Sequence, residues 1–186
     1  MIKIGDTVLE STSKRSFVPA AEGMRNAVCV DAEYLGWFEE NYDDNPKKVQ
    51  KVKLVFETDD LMPEGSEDFH GNDISGRPKT IGKKYTLSQH PKATLSIHLE
   101  AWRGRPWSAE ELDPEIGFNT EEVIGSPCQL LIIHKQIADS STGAPKTIGM
   151  IDRVLKSGDK KMKPSGHYVR IKDREGYEIP STKKPK

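Results

Sequence analysis

Residues Lys79–Trp107, KTIGKKYTLSQHPKATLSIHLEAWRGRPW, constrain the fold more than any other stretch, because they set a strand, a helix and a helix stop in one order. Thr80–Leu87 alternates polar and apolar residues and contains Ile, Tyr and Thr, the pattern of a half-buried strand. Ser88 is placed to cap a following helix, Pro91 is tolerated only in a first turn, and Gly104 stands where a left-handed residue ends a helix. Leu95, Leu99 and Trp102 recur at i, i+4 and i+7, so the helix has one apolar stripe and covers a core.

Two strand patterns precede this unit and two follow it. In Arg25–Trp37, Val28, Val30, Ala32 and Tyr34 alternate with Cys29, Asp31, Glu33 and Leu35, and Gly36 marks a bend or bulge. The next eleven residues, FEENYDDNPKK, have the composition of a loop. Val49–Thr58 is the clearest strand: Val52, Leu54 and Phe56 face one way, Lys51 and Lys53 the other. A long polar insertion, rich in acids, runs from Glu57 to Pro78. Ser108–Val123 reads as two helical turns, with capping-box spacing at Asn119 and Glu122 and a stop at Gly125. Pro127–Ile137 and Thr147–Leu155 then form a hairpin, and PKTIG opens a strand twice, at Pro78 and at Pro145.

Three strands, one helix and two strands is the order of an OB-fold. The expected architecture is thus mainly β: a five-stranded OB-fold barrel with a helix between strands 3 and 4, and short extra helical turns. An N-terminal arm (1–22), the barrel domain (23–156) and a basic, largely flexible tail (157–186) divide the chain.

A chain of 186 residues supports one domain of this size. Its net charge of −1 conceals a tail of ten Lys/Arg against four Asp/Glu from Lys156 onward. Any nucleic-acid surface is therefore local. No apolar run approaches the ~20 residues of a membrane span, and the first residues lack a signal-peptide core, so a cytoplasmic protein without membrane contact is expected. Cys29 and Cys128 lie in strand-like runs without metal spacing and read as buried thiols. His70, His90, His98, His134 and His167 show no metal-binding spacing, and the acids of the insertion have no strand to pre-organise them. Phosphate-loop and nucleophile-elbow motifs are absent. A binding protein that is not an enzyme and uses no cofactor is the resulting expectation.

The binding argument rests on cations interleaved with aromatics, since a single strand is held by a cationic groove and by flat rings on which bases stack. The candidates are Trp37; Lys51 and Lys53; Lys83, Lys84 and Tyr85; Arg103, Arg105 and Trp107 after the helix; and Lys135, Lys146 and Arg153 around the last hairpin. Each has a plainer reading. Alternating lysines also serve solubility, Tyr85 and Trp107 also suit a core, and the tail also suits a solvated arm that adds non-specific attraction to phosphates.

The blocks VCVDAEYLGW, KVQKVKLVFETDD and KKYTLSQHPKATLSIHLEAWRGRPWSAEEL, followed by IGSPCQLLIIH, resemble the OB-fold single-stranded DNA-binding proteins of tailed phages and prophages. The resemblance spans about Val18 to Val154. It implies a protein that coats single-stranded DNA without sequence preference in phage DNA replication or recombination, in the cytoplasm of an infected bacterium, with phage replication or recombination proteins as further partners. It transfers no individual contact residue. The last residues, PSTKKPK, are basic where bacterial single-strand-binding proteins as a broader class carry an acidic segment, so recruitment of partners through an acidic end is not expected. Two other classes fit the same elements: an OB-type protein–protein adaptor of a phage replication or virion complex, and an RNA-binding protein.

Overall fold

A single long hairpin carries the architecture. The computed structural model describes residues 18–113 and 115–185; residues 1–17, most of the expected N-terminal arm, lie outside them. β1 (Gly23–Tyr42) and β2 (Asn45–Leu61) pair antiparallel around Asp43 and Asp44, both at positive φ (47° and 61°). Two consecutive left-handed residues make the tight turn whose twist matches the flanking strands, and Asp tolerates that conformation better than most residues. The loop expected over Phe38–Lys48 is therefore mostly strand. Opposite charges face each other in its register, Glu39 against Lys48 and Glu40 against Lys47, and support the ladder beyond its apolar part.

β3 (Pro78–Thr86) pairs with β2, β4 (Pro127–Ala138) with the first part of β1, and β5 (Pro145–Lys156) with β4. The result is a five-stranded antiparallel sheet in the order β3-β2-β1-β4-β5. Among the described residues helix is confined to α1 (Thr94–Arg103), the single turn α2 (Ala109–Leu112) and 3-10 turns at Thr120–Val123 and Ile171–Asp173. Among the described residues no backbone ladder joins β3 to β5, so the sheet is not closed into the expected barrel. The two edges meet through side chains instead. Lys83 Nζ donates to the Ile151 carbonyl at 2.5 Å, and a Cβ on Gly149 would sit 3.5 Å from Ile81 Cδ1. Ile81 and Gly149 belong to the two PKTIG copies, so one copy packs on the other.

The main core lies between the sheet and α1. Phe56, Leu99, Leu130 and Ile132 are at most 1% exposed, and Phe56 meets Trp102 at 5.6 Å between ring centroids. Leu95, Leu99 and Trp102 of α1 are all buried, as their spacing requires. Gly104 ends the helix at φ 69°, its N–H donating to Glu100 O. The start differs from expectation. α1 begins after Ala93, which makes no side-chain cap, because the Ser88 hydroxyl accepts from His90 N and the chain turns there before the helix begins. Asn119 caps the Thr120–Val123 turn through Glu121 N rather than as half of a box, whereas Ser108 and Glu111 form a complete capping box for α2.

Two bulges in β1, at Val30 and Leu35, explain a second difference. The Val30 bulge inverts the side-chain alternation, so Val28 and Val30 point to one face while Cys29 and Ala32, on either side of it, both reach the main core. Val28, Val30 and Val55 form a smaller cluster on the opposite face, covered by Met162 and Tyr168.

Those two covering residues belong to segment 157–185, for which the sequence predicts a flexible arm. In the structure this segment is seated on β1 and β2. Two carboxylates with 0% and 1% exposure, Asp31 and Glu57, hold it there. Asp31 accepts from Tyr168 Oη, Arg170 Nε (3.1 Å) and Ile171 N (2.7 Å), and Glu57 accepts from Ser165 N (2.8 Å) and Oγ (2.6 Å). A buried charge without partners costs several kcal/mol, so the segment and the two acids require each other. Composition concealed this because lysine-rich sequence reads as solvated whether or not a few of its residues find buried partners.

The acids of the Glu57–Pro78 insertion are likewise dispersed. Glu57 binds Ser165, Asp59 accepts from Asn26, and Asp60 accepts from Ala21 N and Lys79 Nζ. The connection from Met62 to Arg77 folds on itself, with Asp68 accepting from His70 N and Asn72 N. Cys29 and Cys128 are buried free thiols, and burial raises the Cys29 thiol to about 12.

Candidate nucleic-acid interface

The second half of the β1–β2 hairpin stands beside the end of β3 and the connection leading into α1, and the three enclose an open groove of about 980 Å³. Among the described residues its walls carry six lysines, Lys47, Lys48, Lys51, Lys83, Lys84 and Lys92, with Glu40 as the one acid and Trp37 as the tryptophan. The lysines come from register. Lys47, Lys48 and Lys51 lie on β2, Lys83 and Lys84 on β3, and Leu87 N, bonded to Gln50 O at 2.8 Å, holds the His90–Lys92 turn beside them.

The individual lysines are not equivalent. Lys51 pairs with Glu40 and lies 5.1 Å from the Phe38 ring centroid. Lys83 is partly buried with its ammonium on the Ile151 carbonyl, and burial lowers its pKa, the Asp152 charge opposing. Lys84 and Lys92 are exposed. Trp37 is half-buried, and its indole Nε1 donates to the Thr182 carbonyl at 3.1 Å. That bond occupies the ring's edge.

Of the sequence candidates, Trp37, Lys51, Lys83, Lys84 and Tyr85 line this groove. Tyr85 does so without an open ring. It is 3% exposed, packs edge-on against His98, and its hydroxyl bonds His98 Nδ1 at 2.9 Å. A ring so enclosed has no face for a base, which corrects the expectation of stacking there. Lys53 lies outside the groove, 3.7 Å from Glu33 and across Gly82, where a Cβ would meet its Cε at 2.8 Å.

Arg103, Arg105 and Trp107 gather at the other end of α1. There Glu111 binds Arg103 at 2.5 Å and Arg105 at 2.9 Å, and those cations hold its carboxyl down at about 2, Arg105 first. Arg103 stacks on Trp107, 4.3 Å from its centroid, and Trp107 Nε1 donates to Ser96 Oγ. Trp107 also meets Phe118 edge-on and packs on the main core, so its surroundings are structural. Arg103 and Arg105 line a separate pocket of about 350 Å³ with Lys156 and Lys161. Lys135, Lys146 and Arg153 lie on β4 and β5 outside both sites; Lys146 is 3.9 Å from Asp139 and Arg153 3.7 Å from Asp152.

Sequence reasoning missed Lys47, Lys48 and Lys92. The first two fell in the presumed loop, yet Glu39-Glu40 opposite Lys47-Lys48 was a readable cross-strand signal. Lys92 follows Pro91 in the turn ahead of α1, where the sequence predicts the first helical turn. The described residues contain no group of three or more His, Cys, Asp or Glu able to hold a metal ion, and no helix long and apolar enough to cross a membrane. No protein-family model, curated protein or solved structure matches the chain.

Proposed function

We propose that this chain binds single-stranded nucleic acid, DNA foremost, along the groove between the β1–β2 hairpin and the turn before α1. One observation carries the reading: in a chain of net charge −1, six lysines and one glutamate line a single open groove with Trp37 on its wall. Phosphates would be neutralised chiefly by Lys47, Lys48, Lys84 and Lys92, and a base would stack on Trp37. No donor set selects a particular base edge, so binding is sequence-tolerant. The strand order, with β1 paired on both sides and β3 drawn to β5, supports an OB-type Greek-key arrangement whose edges are joined by Lys83 in place of a ladder. Together with the resemblance to phage single-strand-binding proteins, it supports a role in phage DNA replication or recombination without turnover.

The test is fluorescence anisotropy of a labelled thirty-nucleotide oligo-dT, against oligo-rU and a duplex of equal length, over a salt series. Four to six phosphate contacts at about −0.7 each predict a log–log slope of about −3 to −4 on the DNA single strand. Absence of binding at low salt, or preference for duplex, overturns the reading and favours the protein–protein adaptor. A preference for oligo-rU transfers the groove to RNA.

A further inference from the structure

Segment 180–185 crosses β1 at Gly36 and reaches the groove wall through two hydrogen bonds. Pro180 lies against Gly36, where a Cβ would approach its own Cβ to 3.0 Å, so β1 is bare of side chain at the point of crossing. Three carbonyls then accept in turn: that of Ser181 from Tyr34 Oη (3.4 Å), that of Thr182 from Trp37 Nε1 (3.1 Å) and that of Pro185 from Lys48 Nζ (3.1 Å). Trp37 and Lys48 are both groove residues. A peptide in this position has one of two effects, according to its charge. An acidic segment would compete with phosphates for the lysines, whereas a basic one lengthens the phosphate track. Here the intervening side chains are Lys183 and Lys184, both exposed.

Resting on the reading of the groove given above, we propose that Pro180–Pro185 is the outer wall of the single-strand site. Its carbonyls hold the edge of Trp37 and the ammonium of Lys48, and Lys183 and Lys184 bind two further phosphates. The tryptophan is thereby pre-oriented, its ring faces left for a base, so no ordering of that side chain opposes binding.

Full-length K183A/K184A and K160A/K161A are compared with the parent chain by anisotropy on labelled thirty-nucleotide oligo-dT over a salt series. Lys160 and Lys161 lie earlier on the same segment, where Lys161 lines the separate pocket beside Arg103 and Arg105, and control for net charge. The expected result is a slope smaller by about 1.4 for K183A/K184A, two contacts at about 0.7 each. Its affinity would be weakened most at low salt, and K160A/K161A would keep the parent slope. An unchanged slope in K183A/K184A, an equal loss in both variants, or tighter binding by K183A/K184A overturns the proposal while the groove stands. Failure of the parent chain to bind removes the groove and the wall together.

Discussion

Arg170 donates through Nε to the Asp31 carboxylate at 3.1 Å, across 139 positions of sequence, and its two terminal nitrogens reach Glu121 at 2.8 and 2.6 Å. One guanidinium thus ties the β1 bulge, the turn before β4 and the overlying segment. Asp31 has no exposure, so losing this partner leaves its charge poorly compensated. Arg170→Ala is expected to cost about 3 kcal/mol, the low end for breaking a buried pair, because Tyr168 and Ile171 still donate. Urea denaturation measures it, and a loss below about 1 kcal/mol would show the segment to be loosely seated.

Gly36 combines φ +84° with Pro180 at 3.0 Å from its ideal Cβ. Gly36→Ala meets both the left-handed strain of an L-residue and that contact, and is expected to cost about 1–3 kcal/mol. Release of the segment should appear as faster tryptic cleavage after Lys183, the Lys184–Pro185 bond being resistant to trypsin. Parent-like cleavage would place the strain in β1 alone.

His98 is buried between Tyr85 and β5, and burial first, then the Lys83 charge, lowers its pKa against the opposing influence of Asp152. The unfolded chain then binds the proton more tightly than the folded one. Its contribution is fully present above about pH 6.5 and is lost as pH falls from there toward the depressed folded value. Stability should decline by up to about 1.4 kcal/mol per unit within that window, with Glu111 still ionised because its carboxyl is held at about 2. Denaturation midpoints between pH 5.5 and 7 should show this slope in the parent and not in His98→Gln.

Groove and non-groove cations separate by substitution. Lys84→Ala and Lys92→Ala should each reduce the salt slope on oligo-dT by about 0.7, whereas Arg105→Ala and Arg153→Ala should leave it unchanged. Equal effects at all four positions would mean a diffuse charge response and no track.

Local patterns conveyed the elements well. The Leu95–Leu99–Trp102 stripe, the Gly104 stop, the Val52–Leu54–Phe56 face and the bulge beside Gly36, at Leu35, all depend on neighbours in sequence, and each is present. What failed depended on distant partners. The Asp43–Asp44 turn was hidden inside a polar run because the ladder beside it is held by charges rather than apolar side chains. The Val30 bulge inverted a face because one extra residue shifts the alternation, and nothing within β1 announces it. Segment 157–185 looked like an arm because its anchors, Asp31 and Glu57, lie more than a hundred residues away. Of the twelve candidate site residues, five, Trp37, Lys51, Lys83, Lys84 and Tyr85, converge on the groove, while Arg103, Arg105 and Trp107 are taken up by Glu111, Phe118 and Ser96.

The most direct measurement is tryptophan emission during titration with unlabelled oligo-dT, in the parent and in Trp37→Phe. The chain has three tryptophans; Trp102 is buried and Trp107 is bonded to Ser96, so Trp37 is the one on the groove. Quenching that accompanies binding in the parent and disappears in Trp37→Phe, with affinity reduced by about 1–3 kcal/mol in Trp37→Ala, where no ring is left to stack on, is the predicted result. Undiminished quenching in Trp37→Phe, or binding without any quenching in the parent, would contradict the placement of the strand in this groove.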